Sequence, residues 1–208
     1  MSSFLRFLAL GDSYTIGQGV SETERWPERL AADLRRRGVP LGDPQVIART
    51  AWTTEQLAAA IAAADPQGPF ELVTLLIGVN DQYRGRTLED YRSRFGALLR
   101  GAIEFAGGRP GRVIAVSIPD WGLTPFAAKR DRAVIAHEID AFNAAARDDA
   151  HAAGVHWVDV TGISRRHGAD PAFLAGDGLH PGPAAYAEWT ESIAAVAVAA
   201  LADRAGED

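Results

Sequence analysis

The chain has 208 residues, enough for one ordinary domain with a substantial core, and its 47% hydrophobic and 23% charged residues are those of a globular protein. A net charge of −6 argues against nucleic acid or an anionic membrane as the main partner, and the absence of cysteine excludes disulfides, thiolate metal sites and a cysteine nucleophile. No apolar run approaches the roughly 18 residues of a membrane-spanning helix. In chain order, residues 4–10 predict a strand, 26–37 a helix stopped by Gly38, 45–48 a strand and 54–64 a helix ending before Pro66. Residues 72–77 predict an almost purely apolar strand, 88–105 a helix, and 112–118 another strand. A long helix over 131–153, stopped by Gly154, precedes a last strand over 156–160 and a last helix over 183–201.

The runs over 72–77 and 113–118 are continuously hydrophobic, as expected of parallel strands covered on both faces. Five strands alternating with helices predict an α/β fold, a three-layer α/β/α sandwich on a five-stranded parallel sheet with right-handed crossovers. There is no internal repeat, and the Gly/Pro-rich stretch over 107–111 is only a loop, so one domain is expected over 1–208. The first ten residues lack a small-residue cleavage site and lead into the first loop of the predicted site, so they are read as part of the domain and the protein as cytoplasmic.

In open α/β sheets, ligands bind beyond the carboxyl ends of the strands. The segments in those places begin at Gly11, Arg49, Gly78, Pro119 and, after a longer loop, Gly176, and polar residues concentrate in them. Ser13 follows the first strand. An isolated serine is a poor nucleophile without an adjacent base. His180 is the candidate base, because Asp177 lies three residues before it and can reach Nδ1 within one tight loop. Acyl transfer also requires donors for the developing oxyanion. The side chain of Asn80 and the backbone amides of Ser13 and Ala51 are candidates.

These residues carry a resemblance to the SGNH hydrolases, also called the GDSL family, extending over nearly the whole chain. Gly11-Asp12-Ser13 resembles the family's first block, Gly78-Val79-Asn80-Asp81 its third, and Asp177-Gly178-Leu179-His180-Pro181 its last. The resemblance implies a flavodoxin-like sandwich, a serine esterase needing no cofactor or metal, Ser13 as nucleophile, His180 as base, Asp177 as its orienter and Asn80 in the oxyanion hole. One block departs. Where the family usually has a glycine lining the oxyanion hole, Ala51 stands, whose Cβ would narrow the site or strain the backbone if φ is positive there.

The same residue types admit other readings. Gly-Asp-Ser is ordinary turn chemistry, and Asn80 could simply cap a helix. Asp12, Asp81, Asp177 and His180 could gather around a hard cation as in a metal-dependent phosphatase, or the fold could be a catalytically silent binding module. Asp12, Trp52, Tyr83 and Trp121 are candidates for the substrate pocket, with Phe126 nearby; core packing is the alternative for the aromatics. His137, His151, His156 and His167 are read as structural or solvated. A small-molecule ester with a short, acetyl-like acyl group on a small alcohol or carbohydrate is the expected substrate, with lysophospholipid or acyl thioester hydrolysis as alternatives.

Overall fold

The computed structural model describes residues 4–202. Its strands are β1 (Leu5–Gly11), β2 (Leu41–Ala48), β3 (Leu72–Leu76), β4 (Val113–Val116) and β5 (His156–Val158). All pair in parallel, in the order β2-β1-β3-β4-β5. The inner strands are apolar because both faces are covered: every residue of β3 and β4 is buried, and in β1 only Arg6 is exposed.

The helices are α1 (Ser13–Ile16), α2 (Trp26–Arg36), α3 (Thr54–Ala64), α4 (Val79–Tyr83), α5 (Leu88–Phe105), α6 (Arg132–Ala152), α7 (Thr161–His167) and α8 (Pro183–Ala202). One layer joins α2, α7 and α8; the other joins α3, α5 and α6. Caps fix the starts of the long helices. Thr53 and Gln56 form a reciprocal box at α3, Thr87 accepts the Asp90 N–H at α5, and Asp131 accepts the N–H groups of Ala133 and Val134 at α6. Among the described residues, no helix is long and apolar enough to cross a membrane.

The long helices match the sequence pattern; strand ends differ for identifiable reasons. At the sheet edge β2 begins at Leu41 rather than at 45, and its Pro44 lies opposite Phe7 where the register shifts. An edge strand tolerates a residue without an N–H. The strands β4 and β5 stop two residues early because side chains capture amides just beyond their ends. Ile118 donates to Asn143 Oδ1 (2.8 Å), and Val160 and Thr161 donate to Ser117 Oγ (2.8 and 3.2 Å).

This topology places the site. The chain leaves β1 toward the α2 layer and leaves β2 toward the α3 layer, so the crossovers diverge and open a crevice beyond the carboxyl ends of β1 and β3. Ser13 follows β1 and Asn80 follows β3.

Candidate active site

The turn from β1 into α1 is dictated by Gly11 and Asp12. A Cβ on Gly11 would collide with Thr15 Oγ1 and come 2.6 Å from the Leu76 carbonyl oxygen, so only glycine fits there. Asp12 is fully buried and caps α1, its Oδ1 accepting the Tyr14 N–H at 3.0 Å; its Oδ2 has no partner among the described residues. Burial, with a further push from the charge of Asp81, raises its carboxyl to about 8 despite the Tyr14 hydrogen bond. Ser13 is the first residue of α1, so its N–H has no intrahelical acceptor.

Next to it lies the loop from β2 to α3. The Trp52 N–H donates to the Arg49 carbonyl (3.3 Å) across a four-residue turn. Ala51, at the third position, has φ +67°, while Thr50 does not share the positive φ. That combination is a type II turn, whose third position favours glycine. An L-residue held there is strained by roughly 1–2 kcal/mol. Ala51→Gly is therefore expected to leave kcat intact or raise it. Stability should rise by at most about 1 kcal/mol, because glycine's extra unfolded-state entropy offsets part of the relief. Denaturant unfolding and ester turnover check this, and a large loss of kcat would remove the Ala51 amide from the site.

Three residues on or at the end of α4 pin this loop. Asn80 Nδ2 donates to the Trp52 carbonyl (3.0 Å) and Arg84 to the Ala51 carbonyl (2.7 Å). The fully buried Asp81 accepts both the N–H and the hydroxyl of Thr54 (2.9 and 2.7 Å), so it begins α3 from a distance. Burial raises the Asp81 carboxyl, and the Thr54 hydrogen bonds and Arg86 only partly counter this. Neither Asp81 nor Arg84 was identifiable as a loop anchor from sequence, because their partners lie some thirty positions away in the chain.

The last loop positions the histidine. Asp177 Oδ1 accepts the N–H groups of Leu179 and His180 (2.9 and 3.0 Å), and its Oδ2 lies 2.6 Å from His180 Nδ1. Partial burial pushes the Asp177 carboxyl up, but hydrogen bonds from the His180 ring and both amides outweigh it, leaving it below the usual carboxylate range. The carboxylate stays ionised and fixes the ring with Nε2 as the free nitrogen. The ring lies 5.7 Å from that of Tyr14.

Ser13, Ala51, Asn80 and His180 line one cleft of about 190 Å³. Among the described residues no hydrogen bond joins Ser13 Oγ to His180 Nε2; such contacts are often loose in a resting site and tighten with substrate. Of the proposed pocket residues, Tyr83 and Trp121 line the cleft and Asp12 and Trp52 do not. Asp12 is withdrawn beneath α1 as its cap, and Trp52 packs against the core. Tyr14, Leu179 and Phe126 complete the apolar wall. The imagined cation cluster does not assemble: among the described residues no three potential metal ligands gather, since Asp12 and Asp177 each serve a local turn or cap and Asp81 holds the start of α3.

A sequence profile of the GDSL-like lipase/acylhydrolase family matches residues 9–188. The chain belongs to that family. It is accordingly a serine carboxylic ester hydrolase, like other GDSL hydrolases. No curated protein sequence matches it. Its fold is similar to that of TesA, with a TM-score of 0.74 at 20% identity over 94% of this chain and 99% of that one. The psychrotrophic esterase EstA from Pseudoalteromonas sp. gives 0.68 at 16% identity, over 90% and 96%. Phospholipase A1 from Streptomyces albidoflavus NA297 also gives 0.68 at 16%, over 95% and 99%. At these identities the likeness concerns the fold.

Proposed function

We propose that this GDSL hydrolase removes short acyl groups from small-molecule esters, with Ser13 as nucleophile, His180 as general base and Asp177 as its orienter. The observation that carries the reading is the single cleft lined by Ser13, Ala51, Asn80 and His180, with Asp177 2.6 Å behind the histidine ring. In this scheme Nε2 takes the Ser13 proton as Oγ attacks the ester carbonyl, and the ionised Asp177 stabilises the imidazolium. The oxyanion receives the N–H groups of Ser13 and Ala51 and the Nδ2–H of Asn80 not engaged by Trp52. Each such donor is worth about 3–4 kcal/mol in the transition state. Collapse of the intermediate expels the alcohol, which takes the proton from His180; water then enters and the same groups release the acid.

A small acyl group is supported by volume. The cleft of about 190 Å³ is smaller than the roughly 300–1,000 Å³ of pockets that enclose drug-sized ligands. A series of p-nitrophenyl esters should give the highest kcat/KM at acetate to butyrate and a fall of at least about tenfold by decanoate, about 1.4 kcal/mol. A profile rising toward the long chains would remove the short-acyl reading and leave the serine chemistry untouched.

A further inference from the structure

The mouth of the cleft has an unusual charge arrangement for a protein of net charge −6. Its described lining contains no acidic residue. The arginines that contact its lining residues are Arg84, bonded to the Ala51 carbonyl, and Arg130, beside Tyr83. Neither has a carboxylate partner among the described residues. Elsewhere arginine is commonly paired, as Arg25 is with Glu28, Arg92 with Asp149 and Arg165 with Asp120. Arg130 is exposed and lies against an aromatic wall: its Nη2 is 3.3 Å from Tyr83 Oη and its guanidinium carbon 5.5 Å from that ring's centre. Tyr83, Trp121 and Phe126 face one another there with centroids 5.4–6.4 Å apart, and Tyr83 and Phe126 remain 45% and 48% exposed.

This wall adjoins the loop that carries His180. The Phe126 N–H donates to the Gly178 carbonyl (3.2 Å), tying the segment that carries Phe126 and Arg130 to the loop that carries His180. The departing alcohol oxygen must sit beside His180 to receive its proton. From there the rings of Phe126 and Tyr83 offer its remainder a surface that ends at Arg130. Flat rings are suited to a planar partner, and an uncompensated guanidinium to an anion.

We propose that the substrate is an ester of a ring-bearing alcohol carrying a carboxylate or similar negative charge, received by Arg130. This rests on the reading of Ser13 and His180 as the catalytic pair. Uncompensated positive potential at a cleft concentrates anionic substrates and weakens with salt.

The test compares 4-acetoxybenzoate with its neutral counterpart 4-acetoxybenzamide, each rate divided by that of spontaneous alkaline hydrolysis. The carboxylate should be preferred in kcat/KM by about 5-fold, the worth of one partly exposed ion pair. Arg130→Gln should bring the ratio to about one, Arg130→Lys should keep most of it, and about 0.5 M NaCl should shrink it. Equal rates in the unmodified enzyme would overturn the proposal. So would a ratio unchanged in Arg130→Gln, or a preference seen only for p-nitrophenyl hemisuccinate, whose charge lies on the acyl side. Ser13→Ala separates the two readings: turnover of both esters surviving that change would sink the catalytic pair, independently of the ratio.

Discussion

Ser13→Ala is expected to lower kcat on p-nitrophenyl acetate by about 10⁴-fold or more, and His180→Ala added to it should lower kcat little further. In the proposed mechanism the serine and histidine form one device. Without the hydroxyl the base has no proton to take, and without the base the hydroxyl is a poor nucleophile. The binding and oxyanion stabilisation proposed for the amides of Ser13 and Ala51 and the Asn80 side chain should survive, keeping the rate well above the uncatalysed one. Both alanine variants should unfold near the parent's midpoint. Ser13 makes no side-chain hydrogen bond among the described residues, and Asp177 continues to bind the amides of residues 179 and 180 when the ring is gone. Steady-state kinetics on the two single variants and the double variant decide the matter. Parental turnover in Ser13→Ala would end the assignment, and effects that multiply would mean that the two residues act in separate steps.

Much of the candidate site's arrangement was legible in the sequence because Ser13, Ala51 and Asn80 come soon after strands that announce themselves. The runs over 72–77 and 113–118 stand out by being apolar on both faces, and the loops after them are confined to the carboxyl edge of the sheet. The spacing of Asp177 and His180 was equally readable, since a carboxylate three residues before a histidine closes on it within one loop. The short helices were not. The helices α1 and α4 have four and five residues, too few for a hydrophobic period, and are set by Asp12 and by Gly78 at φ +133°. Helix α7 starts where Ser117, just beyond β4, takes up the amides of Val160 and Thr161. Nor could the sequence tell that Asp12 would be sealed from the pocket while Tyr83 stayed at its rim. Both come after strands, and only the packing of α1 against Trp189 and Tyr186 distinguishes them. The positive φ at Ala51 was legible only as a question, posed by a missing glycine and answered by the turn geometry.

Stability should fall as pH rises between about 6 and 8, and Asp12→Asn should abolish that fall. The Asp12 carboxyl has an ordinary value of 3.8 and is pushed up to about 8 in the fold by burial, with the Asp81 charge adding to the push and the Tyr14 amide opposing it. Between those two values the folded chain keeps a proton that the unfolded chain has released. The resulting stabilisation is complete below about 3.8, declines through the interval and is lost once pH exceeds about 8. Over two pH units within it, one such group contributes on the order of 3 kcal/mol. Asparagine keeps an oxygen for the Tyr14 amide and cannot ionise, so the difference in unfolding free energy between parent and Asp12→Asn should shift by that amount across the range. The same ionisation places a negative charge one residue from the Ser13 amide proposed to receive the oxyanion, so kcat of the parent should drop above about pH 8 while that of Asp12→Asn holds. Parallel stability curves for the two proteins would mean that the buried carboxyl is ionised throughout, stabilised by a partner for its Oδ2.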